Sequence, residues 1–304
     1  MNEPAETPDL FSVLPYAAIV TAVVLWGGSF AAMRSGIAEI GAVGLMSLRS
    51  LVAAAAVLPL VPRFYRSFRG SFRHGDVKLL TMTVLLQPCL YFLFESNALR
   101  FTTASQAGVV SATVPILTAL GAWAILREPF SGRLIAGMVM AVAGIVVITF
   151  GGGTDGGASR PLLGNSLEFL AMICAAGNLI AVRGLSRRYD TWLLTAMQTG
   201  AGAVFFLPGL FVVLRSGISF SDLPLIPVLY LGIGSSLGAF GLYNWGMGRI
   251  PAARASSFIN LVPVVSAFGA WLFLGERLAP LQIAGGAVVL LGVVLGQRNR
   301  RKTL

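Results

Sequence analysis

Ten apolar stretches follow one another along this chain, each about as long as the 20 residues a helix needs to cross a bilayer core. They cover roughly 14–34, 42–62, 77–98, 103–126, 131–150, 163–184, 191–213, 224–248, 254–274 and 279–297. Only 11% of the residues are charged and 56% are hydrophobic, whereas a soluble domain carries about 25% charged residues. The mean hydropathy is +0.81. So few charges cannot cover a water-exposed surface, and an all-α integral membrane protein of ten transmembrane helices is expected. Residues 1–11 hold Glu3, Glu6 and Asp9 and no Lys or Arg. A secretory signal opens with positive charge, so the first apolar stretch is expected to stay as an anchor.

The chemistry available is sparse. The chain has one histidine, His74, and two cysteines, Cys89 and Cys174, far apart inside apolar runs. Neither a disulfide framework nor a metal-ligand spacing results. A catalytic triad would have to use that one imidazole, so no enzyme, metal or cofactor is expected. The Gly-rich stretch Gly151 to Gly157 lacks the Gly-Lys-Ser/Thr ending of a phosphate loop and lies between two spans, so it reads as a linker.

The formal charge of +10 invites a nucleic-acid reading, but the positions of the cations oppose it. With both termini in the cytoplasm, the inner segments hold sixteen Lys and Arg and the outer ones five: Arg34, Arg100, Arg160, Arg215 and Arg277. That bias is the one that orients membrane proteins. The basic loop 63–76 also suits contact with anionic lipid.

Sliding the chain against itself by 148 residues aligns 104–146 with 252–294, with fifteen identities over 43 ungapped positions. Composition alone accounts for about five. Val114, Pro115, Trp123, Glu128, Gly137 and Gly144 meet Val262, Pro263, Trp271, Glu276, Gly285 and Gly292. Two halves follow, 1–150 and 151–304, each of five spans. An odd span number inverts the second copy, which is a hallmark of secondary transporters with a site near midplane. The matched glycines are expected to pack the fifth span on the tenth, rather than to form a dimer seam.

Several residues now resemble a known family: Trp26-Gly-Gly-Ser-Phe30 and Arg49 in the first two spans, Ala104 to Pro115 with Glu128, and Ala252 to Pro263 with Glu276. With ten spans in two copies, the chain is similar to the drug/metabolite transporter superfamily, in its branch of EamA-type exporters, over nearly its whole length. Within that branch its overall character resembles the aromatic amino-acid exporters of the YddG type. The resemblance implies a basket of helices around a central cavity, alternating access, and export across a bacterial inner membrane. The implied partners are a small-molecule substrate and membrane lipids, without nucleic acid, in a monomer or loose dimer.

Polar side chains within spans are costly and are therefore site candidates. Gln87, Tyr91 and Glu95 fall at i, i+4 and i+8, on one helix face, with Asn97 nearby. The other candidates are Trp26, Ser29, Gln106, Asn178, Tyr243, Asn244, Trp245, Ser257 and Asn260. Aromatic rings and amides together suit a flat apolar substrate with a polar head. The ordinary alternative is helix–helix hydrogen bonding. Arg49 and Glu95 sit at similar depth and are expected to pair, as a buried ion pair or an outer gate. Glu168 reads as a span end, which leaves Glu95 as the proton-coupling candidate. Pro115 and Pro263, at equivalent places, are expected to kink their helices as hinges. A multidrug or other metabolite efflux carrier, or a lipid scramblase, is the alternative reading. Cation exchange is disfavoured because the first span has no acid, and sugar-phosphate carriage because Arg49 is the one cation within a span.

Overall fold

The computed structural model describes residues 10–126, 132–151, 158–185, 188–247, 249 and 258–297. Ser257, Glu128, Ala252, Ala255 and the Gly-rich residues 152–157 lie outside the described residues, as does the side chain of Asn244. Everything described is helical or a connection between helices. The helices are α1 (Leu10–Val57), α2 (Val61–Ser71), α3 (Val77–Val84), α4 (Tyr91–Ala98), α5 (Ala104–Ser111), α6 (Val114–Leu126) and α7 (Gly132–Phe150). They continue with α8 (Pro161–Leu185), α9 (Thr191–Phe205), α10 (Pro208–Arg215), α11 (Leu225–Leu229), α12 (Phe240–Met247), α13 (Val262–Leu274) and α14 (Pro280–Gln297).

Among the described residues, five stretches are long and apolar enough to cross a membrane: Val13–Tyr65, His74–Ala98, Ala104–Gly121, Pro161–Val182 and Leu225–Tyr243. The pair Trp192–Phe205 and Pro208–Arg215, bent by 49°, makes a sixth if taken as one span. Ile135–Phe150, Val262–Leu274 and Pro280–Leu295 are apolar but shorter. The stretches read from the sequence are thus joined and broken at particular residues. The first two run together through α1, and the 53-residue stretch Val13–Tyr65 would be about 80 Å long if straight, far beyond a bilayer core. It turns at Gly41, with φ 73° and ψ 164°, a backbone that only glycine adopts cheaply.

The third stretch is interrupted over Leu85–Leu90, where the helix widens and Gln87 takes an extended φ of −141° and ψ of 121°. Pro88 follows it and supplies no N–H to continue the ladder. The fourth stretch breaks at Ala112 and Thr113, so that Pro115 stands in the first turn of α6. Pro263 stands likewise in the first turn of α13, where proline costs a helix nothing. Pro115 therefore marks a break between half-helices, and Pro263 the start of α13 after the turn at 260–261, rather than bends within one helix.

The expected basic loop 63–76 is mostly helix. α2 turns Phe64 and Phe68 toward Leu80, Leu185, Tyr189 and Leu193. Just beyond it, Asp76 accepts from Arg188 Nη2 at 2.5 Å and from the Tyr189 hydroxyl at 3.0 Å. Burial and that bond hold the Tyr189 phenol above its ordinary range.

α7 lies along α14 with almost no side chain between them. A Cβ on Gly144 would stand 2.7 Å from the Gly285 carbonyl oxygen, and one on Gly292 2.6 Å from that of Gly137. Gly144 thus meets Gly285 while Gly137 meets Gly292, so the two helices run in opposite directions. The glycines expected to pack the fifth span on the tenth do so within one chain. The outward faces are apolar: Ile226 is 84% exposed, Val204 75% and Phe273 74%. Such a surface is stable against lipid and not against water.

Candidate functional site

A cavity opens among α1, the widened stretch Leu85–Leu90, α4, α9 and α12. Its walls are Ser50, Ala53, Gln87, Pro88, Phe92, Thr195, Gln198, Thr199, Gly202, Ser236 and Phe240, and about 420 Å³ of space lies between them, counted to the open mouth. The break at Gln87 builds one wall. In a straight helix Gln87 would share a face with Tyr91 and Glu95. Instead its extended backbone swings the amide to α8, where Asn178 Nδ2 donates to Gln87 Oε1 at 2.8 Å. Gln198 Nε2 donates in turn to Asn178 Oδ1 at 2.9 Å. The expected stripe is therefore split, and the result is a chain of three amides along the cavity.

The opposite wall is aromatic. Trp26 meets the ring of Phe240 edge-on at 5.1 Å and that of Tyr243 at 5.1 Å. Phe240 carries this group to the cavity surface.

Arg49 lies beneath the cavity, 2% exposed. Its guanidinium sits 4.0 Å from the centre of the Phe92 ring, an arrangement that returns part of the lost hydration. Nη2 donates to Ser236 Oγ at 2.9 Å and to the Leu231 carbonyl at 3.5 Å. Both acceptors belong to Tyr230–Ala239, a second widened stretch, and such widening recurs where helices build sites. There Ser236 Oγ donates to the Leu231 carbonyl, five residues back, at 2.8 Å. Gly232 lets the chain approach closely, since a Cβ on it would stand 2.9 Å from the Arg49 carbonyl oxygen.

The expected ion pair of Arg49 with Glu95 does not form. Glu95 Oε1 accepts from the Tyr91 hydroxyl at 2.6 Å, and Arg49 is spent on Ser236 and Phe92. The two charges still attract through space. Nε and Nη1 of Arg49 are buried without a hydrogen-bond partner. Glu168, read from the sequence as a span end, lies in the eighth position of α8 and is wholly buried.

Other candidates stand elsewhere. Ser29 donates to the Trp26 carbonyl at 2.7 Å and Asn97 to the Leu93 carbonyl at 2.8 Å, each within its own helix. Gln106 accepts from Thr102 and Asn165 in a separate cluster that also holds Thr149. Trp245 is 37% exposed and lies under the Arg249 guanidinium, 4.1 Å away, rather than in the cavity. Asn260 stands in the turn before α13, its Oδ1 buried without a partner.

Sequence reasoning did not single out the seal at one end of the bundle. The Glu276 carboxylate accepts from the backbone N–H groups of Ala104 and Ser105 at 3.1 and 3.0 Å, and from Ser105 Oγ at 3.0 Å. Arg34 Nε pairs with it at 3.2 Å, and Arg34 also donates to the Thr102 carbonyl. A carboxylate on free N–H groups at a helix start is favourable twice over, by hydrogen bonding and by the helix dipole. Alongside, Ser266 Oγ donates to the Ala104 carbonyl at 2.8 Å. α1, α5 and α13 are thereby closed on one another.

The EamA-like transporter family matches this chain twice, over residues 13–150 and 162–296. The uncharacterized transporter YcxC of Bacillus subtilis is 27% identical, covering 98% of this chain and 95% of its own length. A probable terminal-alkyne amino-acid exporter of Streptantibioticus cattleyicolor is 28% identical over 93% of each chain. A solved crystal structure superposes with a TM-score of 0.60 at 20% identity, covering 95% of this chain and 98% of its own. That last likeness speaks for the fold alone. The double family match, the apolar helices and the cavity agree: this chain belongs to the EamA-like transporter family, and it is a membrane transporter rather than an enzyme.

Proposed function

We propose that this transporter exports small amphipathic metabolites, amino acids and among them aromatic ones, by alternating access. The observation that carries the reading is the cavity itself. It offers the rings of Phe92 and Phe240 and the amides of Gln87 and Gln198. Rings supply contact area and amides fix orientation. The amino-acid exporter among the relatives supports the same class.

In this reading ten membrane passages form two inverted five-helix halves, 1–150 and 151–304. The crossed glycine contacts support it, because a two-fold relation pairs the first member of one copy with the second of the other. The placement of Lys and Arg supports cytoplasmic termini in a bacterial inner membrane. Arg34 and Glu276 then seal the outer side, and the cavity serves the inward-facing state. The protein works as a monomer or loose dimer among lipids.

The test is flux into proteoliposomes of the purified protein, using radiolabelled Phe, Tyr, Trp, Met and Thr, a quaternary ammonium dye and a fluorescent lipid. Saturable movement of the aromatic amino acids is expected. Movement of the dye alone would make it a multidrug carrier, and movement of the lipid alone a scramblase.

A further inference from the structure

Glu168 is a costly residue to bury. It is 0% exposed, and neither carboxylate oxygen has a hydrogen-bond partner. An ionised carboxylate held bare in an apolar interior costs several kcal/mol even after relaxation. The group avoids that cost by carrying a proton.

Its neighbours fix how many protons the region holds. α8 packs against α3, Leu85–Leu90, α4, α5, α6 and α7. Their ionisable groups are Lys78 at the start of α3, Cys89, Tyr91 and Glu95 on α4, and Arg133 at the start of α7; α5 and α6 have none. Cys174 and Arg183 lie on α8 itself. Among the described residues Glu95 acts on Glu168 as a like charge and repels it, and Tyr91 also lies within its reach. Glu95 in turn faces Arg49 and the Tyr91 hydroxyl. The 2.6 Å hydrogen bond from Tyr91 falls in the range of a hydroxyl donating to an ionised carboxylate. One guanidinium, one carboxylate and one carboxylic acid sum to zero, which suits a layer without water.

We propose that Glu95 and Glu168 form a proton-binding site holding one proton between them, carried on Glu168 in the state described here. The carboxyl O–H of Glu168 is the bond that breaks on release, and the proton passes to water when the region hydrates. Arg49 sets the stoichiometry, because its charge demands one negative partner and no more. The site adjoins the cavity through Arg49 and Phe92, so on the transport reading it is where a proton gradient is coupled to substrate movement.

The first experiment needs no substrate. Purified full-length protein in liposomes is treated with dicyclohexylcarbodiimide, which adds across a protonated carboxyl: the acid proton goes to its nitrogen and the carboxylate oxygen to its carbon. Mass spectrometry should place the adduct on Glu168 at neutral pH, and Glu168→Gln should abolish it. Glu95→Gln should cut Glu168 labelling about tenfold or more, the protonated fraction that remains once its titration falls about one pH unit below the assay pH. With Glu95 neutral, Glu168 must ionise to balance Arg49. A merely structural carboxyl would label equally in both backgrounds. No adduct on Glu168, or equal labelling in Glu95→Gln, overturns the site. A second arm measures [14C]phenylalanine under an imposed pH gradient. Accumulation in the wild type and its loss in Glu168→Gln are expected, with gradient-free exchange retained; accumulation that survives Glu168→Gln overturns the coupling. If phenylalanine does not move but the labelling pattern holds, the substrate reading fails and the proton site stands.

Discussion

Removing the Glu276 carboxylate should loosen the sealed end by a calculable amount. It accepts from two backbone N–H groups and one hydroxyl at 3.0–3.1 Å, and pairs with Arg34 at 3.2 Å. Hydrogen bonds to a charged group are worth about 1.5–3 kcal/mol each. Four on one carboxylate do not add, and Arg34 is 23% exposed, so its share is screened. A total of about 3 kcal/mol remains, close to the loss of a strong helix cap plus one charged contact. At about 1.4 kcal/mol per factor of ten, Glu276→Ala should raise the open population about 100-fold. Hydrogen exchange of the protein in nanodiscs reads this directly. The amides of Ala104 and Ser105 lose their acceptor, and the peptide spanning 102–108 should exchange about 100-fold faster, because exchange tracks the opening equilibrium. Glu276→Gln keeps an acceptor and should give a smaller change. Unchanged protection in Glu276→Ala would refute the idea that this carboxylate holds α1, α5 and α13 together.

Other outcomes follow from the same structure. Gln198→Leu breaks the amide chain to Asn178 and Gln87 at the cavity wall and should raise the KM for phenylalanine about tenfold, one hydrogen bond's worth, with expression unchanged. Phe240→Ala removes the ring that joins Trp26 to the cavity and should weaken aromatic substrates more than threonine, as competition flux assays would read. Gly285→Val sets a side chain against Ile148 and the Gly144 carbonyl and should cost about 3 kcal/mol or more, seen as loss of monodisperse protein in detergent. Replacing Pro115 and Pro263 together by Ala should lower turnover more than expression, since each opens a helix directly after a turn; transport equal to wild type would remove the hinge role.

What the sequence disclosed and what it hid divide along physical lines. Apolar length and the matched glycines report on lipid and on helix contact, and both read directly: α7 and α14 meet at the four glycines that the internal repeat aligns. Arg49, Glu95, Asn178 and Gln87 were legible as intramembrane polar groups. Their partners were not, because helical periodicity assumes an unbroken helix. Pro88 was the available sign that Gln87 leaves the face of Tyr91 and Glu95. The burial of Glu168 was missed because the start of α8 at Pro161 lies earlier than the apolar run suggests. The Glu276 contacts with Ala104 and Ser105 join residues 172 and 171 positions apart, which no local pattern reports. Trp245 shows the reverse error, since an aromatic ring at a helix face suits lipid as well as a cavity.

The seam between α7 and α14 has a mechanical meaning. Two backbones in contact, with Val289 and Ile148 filling the gaps between glycines, have no long side chains to re-pack and so no second arrangement of similar energy to slide into. This pair is the stator of the machine. The moving parts must be sought among helices that meet through side chains or are already broken, at Gly41, Gln87, Thr113 and Leu261. A disulfide stapling α7 to α14 should therefore leave the transport cycle running, while one stapling α5 to α13 should stop it.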